Sequence, residues 1–210
     1  MPVAAAPEGK GEHDDEQSAY QWDRYWRVAL DKFDPALGTL TKVTIKLEAT
    51  TDSGTIDWDN EAAIPTDVTL GIGAEVTATA PLLAALVAVP LQLGSATGVA
   101  ADNDGAADFI GTDSFSVTGG SGSDDDEDFT TNPADFPTFT AGFVGDTFDT
   151  TIDSVVTNYL STTGGFGPIQ QTPGQAYGTI TVTYHYIPEP ATLSLLALSG
   201  LGLLLRRKRS

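Results

Sequence analysis

The sequence contains no cysteine. Disulfides, thiolate zinc centres and cysteine nucleophiles are therefore excluded. Basic residues are almost as scarce: ahead of the C-terminal end there are only Lys10, Arg24, Arg27, Lys32, Lys42 and Lys46. From Leu47 to Leu205 there is no Lys or Arg at all, against 21 Asp and Glu, and the net charge is −19. Such a surface repels phosphate backbones, which sets nucleic acid aside as a partner. It suits solubility in a salty outside medium and would attract divalent cations or cationic partners. Strong helix formers are rare outside the last twenty residues, while glycine (22), threonine and aspartate are abundant. That balance favours strands and turns.

What is present follows a period of two. In residues 39–49, TLTKVTIKLEA, Val43, Ile45, Leu47 and Ala49 fall on one side and Lys42, Thr44, Lys46 and Glu48 on the other. This predicts a half-buried antiparallel strand. Residues 178–187 repeat the pattern with Ile180, Val182, Tyr184 and Tyr186. Residues 20–30 place Tyr20, Trp22, Trp26, Val28 and Leu30 on one parity, with Arg24 breaking the row. Further strands are predicted over 54–59, 67–79, 108–118, 137–144 and 147–158. Turn signals separate them: TDSG, NDG, TGGSGS, NPAD and TTGGFGP. Many short strands with frequent turns predict an all-β fold, a single antiparallel β-sandwich over residues 20–187. The acid-rich residues 1–19 read as a disordered leader. The run SDDDEDF reads as exposed and mobile, because adjacent acids repel.

Two long apolar runs occur. Residues 80–94 are bracketed by Pro81 and Pro90, too short to span a bilayer, and read as a buried strand. Residues 191–205 carry no charge and end on Arg206, Arg207, Lys208 and Arg209. As a helix they would span about 22 Å, short of a ~30 Å hydrocarbon core. Snorkelling of the basic side chains lengthens the effective span and holds that end in the cytoplasm. The expectation is a short C-terminal transmembrane helix. Its lipid-facing residues would be Leu193, Leu195, Leu196, Leu198, Leu201, Leu203, Leu204 and Leu205. Pro188 and Pro190 keep the preceding elbow extended.

Pro188-Glu189-Pro190, the Leu/Ala/Gly-rich segment and the basic end resemble a PEP-CTERM sorting signal. The resemblance covers residues 187–210. It implies export in an exopolysaccharide-producing Gram-negative bacterium and transient anchoring in the inner membrane. An exosortase, a membrane-embedded cysteine protease or transpeptidase, would then read Pro-Glu-Pro and remove the anchor. Cell surface or extracellular matrix would be the destination, and exopolysaccharide a further partner. A secretory signal would be expected in front, but residues 1–18, MPVAAAPEGKGEHDDEQS, hold no basic n-region and no apolar run. VAAAP reads as the remnant of a cleavage region behind a misplaced start codon, as unrelated coding sequence or as a cloning artefact.

A second resemblance lies in LDKFDPALGTLTKVTIKLEATTDSG, ATAPLL and ADFIGTDSFSVTGGSGS. These are similar to the choice-of-anchor E domain, an extracellular domain found with different C-terminal anchors and with no enzymatic activity attached. The long acidic leader and SDDDEDF depart from it. Within FDPALG, Asp34 is expected to accept a backbone N–H in an Asx-turn and Gly38 to allow positive φ.

Candidate chemistry is sparse. Residues 102–108, DNDGAAD, resemble the middle of a calcium loop, with Asp102, Asp104 and Asp108 as ligands and Gly105 at the turn. Ala100 and Gly111 stand where an EF-hand has acids. Calcium is thus the one candidate cofactor. His185 would share a solvated face with Thr181 and Thr183. Trp22, Trp26 and Trp58 are either a sugar-stacking platform or core packing. No spacing singles out a catalytic carboxylate pair or a nucleophile beside a base. The reading is therefore a non-enzymatic surface or matrix protein, with a carbohydrate-binding module, calcium-dependent or not, as the alternative.

Overall fold

A computed structural model of the chain describes residues 9–11, 25–102, 105–120, 122–172 and 174–188, with backbone alone at 9–11, 25 and 26. Among the described residues twelve strands form, and every pairing between them is antiparallel. They are β1 (Gly9–Gly11), β2 (Tyr25–Asp31), β3 (Gly38–Asp52), β4 (Thr55–Asp59), β5 (Thr66–Thr79) and β6 (Leu86–Ala88). The rest are β7 (Leu91–Val99), β8 (Ser114–Thr118), β9 (Ser123–Thr130), β10 (Thr147–Thr162), β11 (Ile169–Thr172) and β12 (Gln175–Pro188).

The back layer is one sheet in the order β2-β10-β5-β6, and β7 follows β6 along the same edge of β5. The front layer is a pair of sheets, β1-β12-β3-β9 and β11-β4-β8. Their shared order has a simple cause. Strands β3 and β4, β8 and β9, and β11 and β12 are consecutive in the chain, each pair separated by a two- to four-residue break. The front layer is therefore one sheet snapped across its width at a common level.

Glycines make that seam possible. A Cβ on Gly54 would lie 2.7 Å from the Gly174 backbone, and one on Gly119 would lie 2.2 Å from the Ser53 carbonyl oxygen. Gly54 also has φ 81°, a conformation that side chains disfavour. The Gly119 amide donates to the Gly54 carbonyl at 3.0 Å, tying the break together.

Two apolar cores result, both resting on β5. Ala74, Val76 and Ala78 face Ile45, Leu47, Ile180 and Val182 of the larger sheet. Val68, Leu70 and Ile72 of the same strand face Ile56, Trp58 and Val117 of the smaller one. The alternation read in β3 and β12 is present: Val43, Ile45, Leu47 and Ala49 are buried, as are Ile180, Val182 and Tyr184. Val28 and Leu30 of β2 are buried too. Tyr20 and Trp22 lie outside the described residues.

Four expectations change. The acidic run is strand β9, paired with β3 from Val43↔Thr130 to Thr50↔Ser123. Its alternate carboxylates accept backbone N–H groups from the neighbouring edge of the back sheet. Asp124 takes Val89 at 2.7 Å, Asp126 takes Val87 at 2.9 Å, and Asp128 takes Ala84 at 2.9 Å. Side chains thus stand in for a missing strand along β6 and close one side of the sandwich. On the other face, the Lys46 ammonium lies 2.7 Å from Glu48 and 3.5 Å from Asp125. Lys42 sits 4.2 Å above the Phe129 ring. These cations and amides offset the repulsion that the sequence suggests.

Residues 80–94 are likewise not one buried strand. Leu82 takes φ 65° in a turn, and Pro90, which lacks an N–H, separates β6 from β7. Leu86 and Ala88 point inward, whereas Val87, Val89, Leu91 and Leu93 are exposed. Residues 137–144 hold no long strand: Phe136–Phe139 is a helical turn, α1, that plugs Phe139 edge-on against Phe148, 5.2 Å between centroids. Of the strand expected over 108–118, only Ser114–Thr118 forms.

Candidate functional site

The sandwich has one pole where β2 ends, β3 begins, β10 begins and β12 ends. The segment between β2 and β3 is the FDPALG stretch. Asp34 accepts the Ala36 amide at 2.9 Å, and Pro35–Leu37 form a 3-10 turn, as the Asx-turn expectation requires. Gly38 has φ 150°, and a Cβ there would lie 2.2 Å from the Ile187 carbonyl oxygen. The glycine is thus needed because the end of β12 passes directly over it. Gly38 pairs with Pro188, the first residue of the expected sorting motif.

Beside this turn, residues 141–146 form a tight loop leading into β10. Asp146 organises it. Its carboxylate accepts the Gly142 amide at 3.1 Å and meets the Lys32 ammonium at 3.3 Å. Its carbonyl accepts the Lys32 amide at 3.0 Å, and its own amide donates to the Phe143 carbonyl at 3.2 Å. The Gly142 amide, assisted by Lys32, holds the Asp146 carboxyl below the usual carboxylate range. The loop tip carries Phe143, 71% exposed, and Val144, 98% exposed.

Between the turn and the loop lies a cleft of about 450 Å³. Its floor is Phe33 and Tyr184, ring centroids 5.7 Å apart, with Tyr186 5.2 Å from Phe33. The Tyr184 hydroxyl donates to the Asp31 carbonyl at 2.7 Å. Burial, and then the nearby Asp31 carboxylate, push its phenol well above the ordinary tyrosine value. Tyr184 is thus a neutral structural group. The walls are mostly apolar, and the one cation among the described lining residues, Lys32, is engaged by Asp146.

The expected calcium loop sits at the opposite pole. Asp102 accepts the Gly105 amide at 2.8 Å, and Asp108 accepts the Ile110 amide at 2.9 Å. Both carboxylates therefore cap turns; Asp104 lies outside the described residues. Among the described residues, no group of three or more His, Asp or Glu is placed to hold a metal ion. Trp58 is fully buried in the smaller core and offers no ring to a sugar. His185 is half-buried on β12 and pairs with Lys42 of β3. Of the sorting motif, Pro188 is described and exposed. Glu189, Pro190, the anchor residues Leu193 to Leu205 and the basic Arg206 to Arg209 lie outside the described residues. Among the described residues no helix is long and apolar enough to cross a membrane.

What sequence reasoning missed is the 141–146 loop, whose first four residues it read as the end of a strand over 137–144. Its signal was present: Gly142 and Gly145 frame Phe143-Val144, and Asp146 follows.

Residues 187–209 match the family model described as the PEP-CTERM protein-sorting motif. No curated protein and no solved structure gives a match to the chain. The motif implies an exported protein with a C-terminal membrane-anchoring tail that is processed by exosortase.

Proposed function

We propose that the chain is a non-enzymatic surface or extracellular-matrix protein. Residues 20–187 would be its choice-of-anchor E-like sandwich and residues 188–210 a transient anchor. Its work is structural or adhesive, in the envelope or among exopolysaccharide. One observation carries the reading: the sorting motif follows, without a linker, from β12, which is paired along its whole length with β3 of the front sheet. The folded body is thereby delivered to the processing enzyme with Pro188 exposed at its surface. The non-enzymatic part rests on the sequence, where no nucleophile or carboxylate pair stands out.

The test is Glu189→Ala in the producing cell. Unprocessed protein is expected to accumulate in the membrane fraction, while the melting temperature of the folded body stays unchanged. Normal processing of this variant would remove the motif from the mechanism. Turnover of the producer's own polysaccharide by the purified chain would overturn the non-enzymatic reading.

A further inference from the structure

The pole that bears the end of β12 displays Leu37, Phe143, Val144 and Ile187 to solvent. Two come from the 141–146 loop, one from the 3-10 turn and one from β12 itself. The loop holds its apolar tip outward through the Asp146 contacts with Gly142 and Lys32. Exposed apolar side chains occur elsewhere too, Ile110 and Phe166 among them, so what distinguishes this pole is that the chain leaves it toward the tail.

Chain length decides what can cover it. The apolar tail begins at Ala191, three residues beyond Pro188. Three extended residues reach about 10 Å. An anchored tail thus keeps this pole within about 10 Å of the hydrocarbon boundary, the depth of the headgroup region and a little more. We propose that this pole is a membrane-contact surface, with Phe143 and Val144 seated among the headgroups of the outward-facing leaflet until the tail is removed. The inference rests on the anchored-tail reading above. The contact is apolar rather than electrostatic, because among the described residues lining the cleft Asp31, Asp34 and Asp146 are opposed only by Lys32. An amphipathic surface of this kind inserts about 5–10 Å, at the level that aromatic side chains favour.

The lack of native cysteine allows a direct test. Val144→Cys, Ala106→Cys at the far pole and Ala197→Cys in the tail each carry one environment-sensitive fluorophore on the full chain. The chains are reconstituted into phosphatidylcholine vesicles containing a nitroxide-labelled lipid. The labels at 144 and 197 are expected to lose roughly half their fluorescence, whereas the label at 106 keeps its own. Raising the salt to about 0.5 M is expected to leave the loss at 144 intact, since a short Debye length screens charge but not apolar contact. Quenching at 197 with none at 144 would overturn the contact and leave the anchor standing. No quenching at 197 would overturn the anchor and the contact together. Release of 144 by salt would overturn the apolar character of the contact.

Discussion

Asp146 shows how much one side chain can organise. It ties the loop before β10 to the strand end at Lys32 while its carboxylate fixes Gly142. Because the Gly142 hydrogen bond and then Lys32 lower its folded pKa, its contribution to stability is present above the ordinary carboxylate pKa. The contribution is lost as pH falls through the folded value. A carboxyl NMR titration should therefore show Asp146 protonating after ordinary aspartates as acid is added. Lys32→Ala should move the midpoint upward, yet leave it below the ordinary value because the Gly142 amide remains. A midpoint in the ordinary range in the unmodified chain would show that the loop is not closed in solution.

At the scale of elements, β9 is the least expected part of the molecule. Replacing Asp126 by Ala would leave the Val87 amide to water at an exposed edge, at a cost of about 0.5–1.5 kcal/mol. Asp126→Asn keeps an acceptor oxygen and should cost less. Urea unfolding of the two variants checks this, and equal losses would remove the carboxylate bridge as the reason for the strand. Strands β3 and β12 were legible because each carries its own evidence, one wet face and one apolar face. Strand β9 was not, because its partners lie elsewhere in the chain: Lys46 some eighty residues earlier, and the amides of Ala84, Val87 and Val89. Residues 80–94 misled for a related reason. A run of apolar residues tells nothing of which face is covered, and Pro90 decides where the edge breaks. The pole was half legible: FDPALG showed its turn chemistry, but the need for Gly38 comes from β12, which arrives 149 residues later.

For the whole molecule, charge is the dominant surface property. With a net charge of −19, self-repulsion should lower stability at low ionic strength. Sodium chloride is therefore expected to raise the melting temperature of the chain ending at Pro188. Millimolar calcium added in about 0.15 M NaCl, where the Debye length is only ~8 Å, is expected to add nothing further. A calcium gain at that salt concentration, abolished by Asp104→Ala or Asp108→Ala, would instead make the far-pole loop a specific site.

The placement of β12 also determines how the molecule bears load. A pull on the tail enters the body at Pro188, the last residue of β12, and its component along the strand loads the ladder lengthwise. Strand β12 is paired with β3 from Gln175↔Asp52 to Pro188↔Gly38. Force in that direction slides one strand past the other, so the ladder resists as a set of bonds strained together. Had the tail left from an edge strand at right angles, the same bonds would open one after another. A tethered body would thus meet the lengthwise part of a pull with the whole β12–β3 ladder.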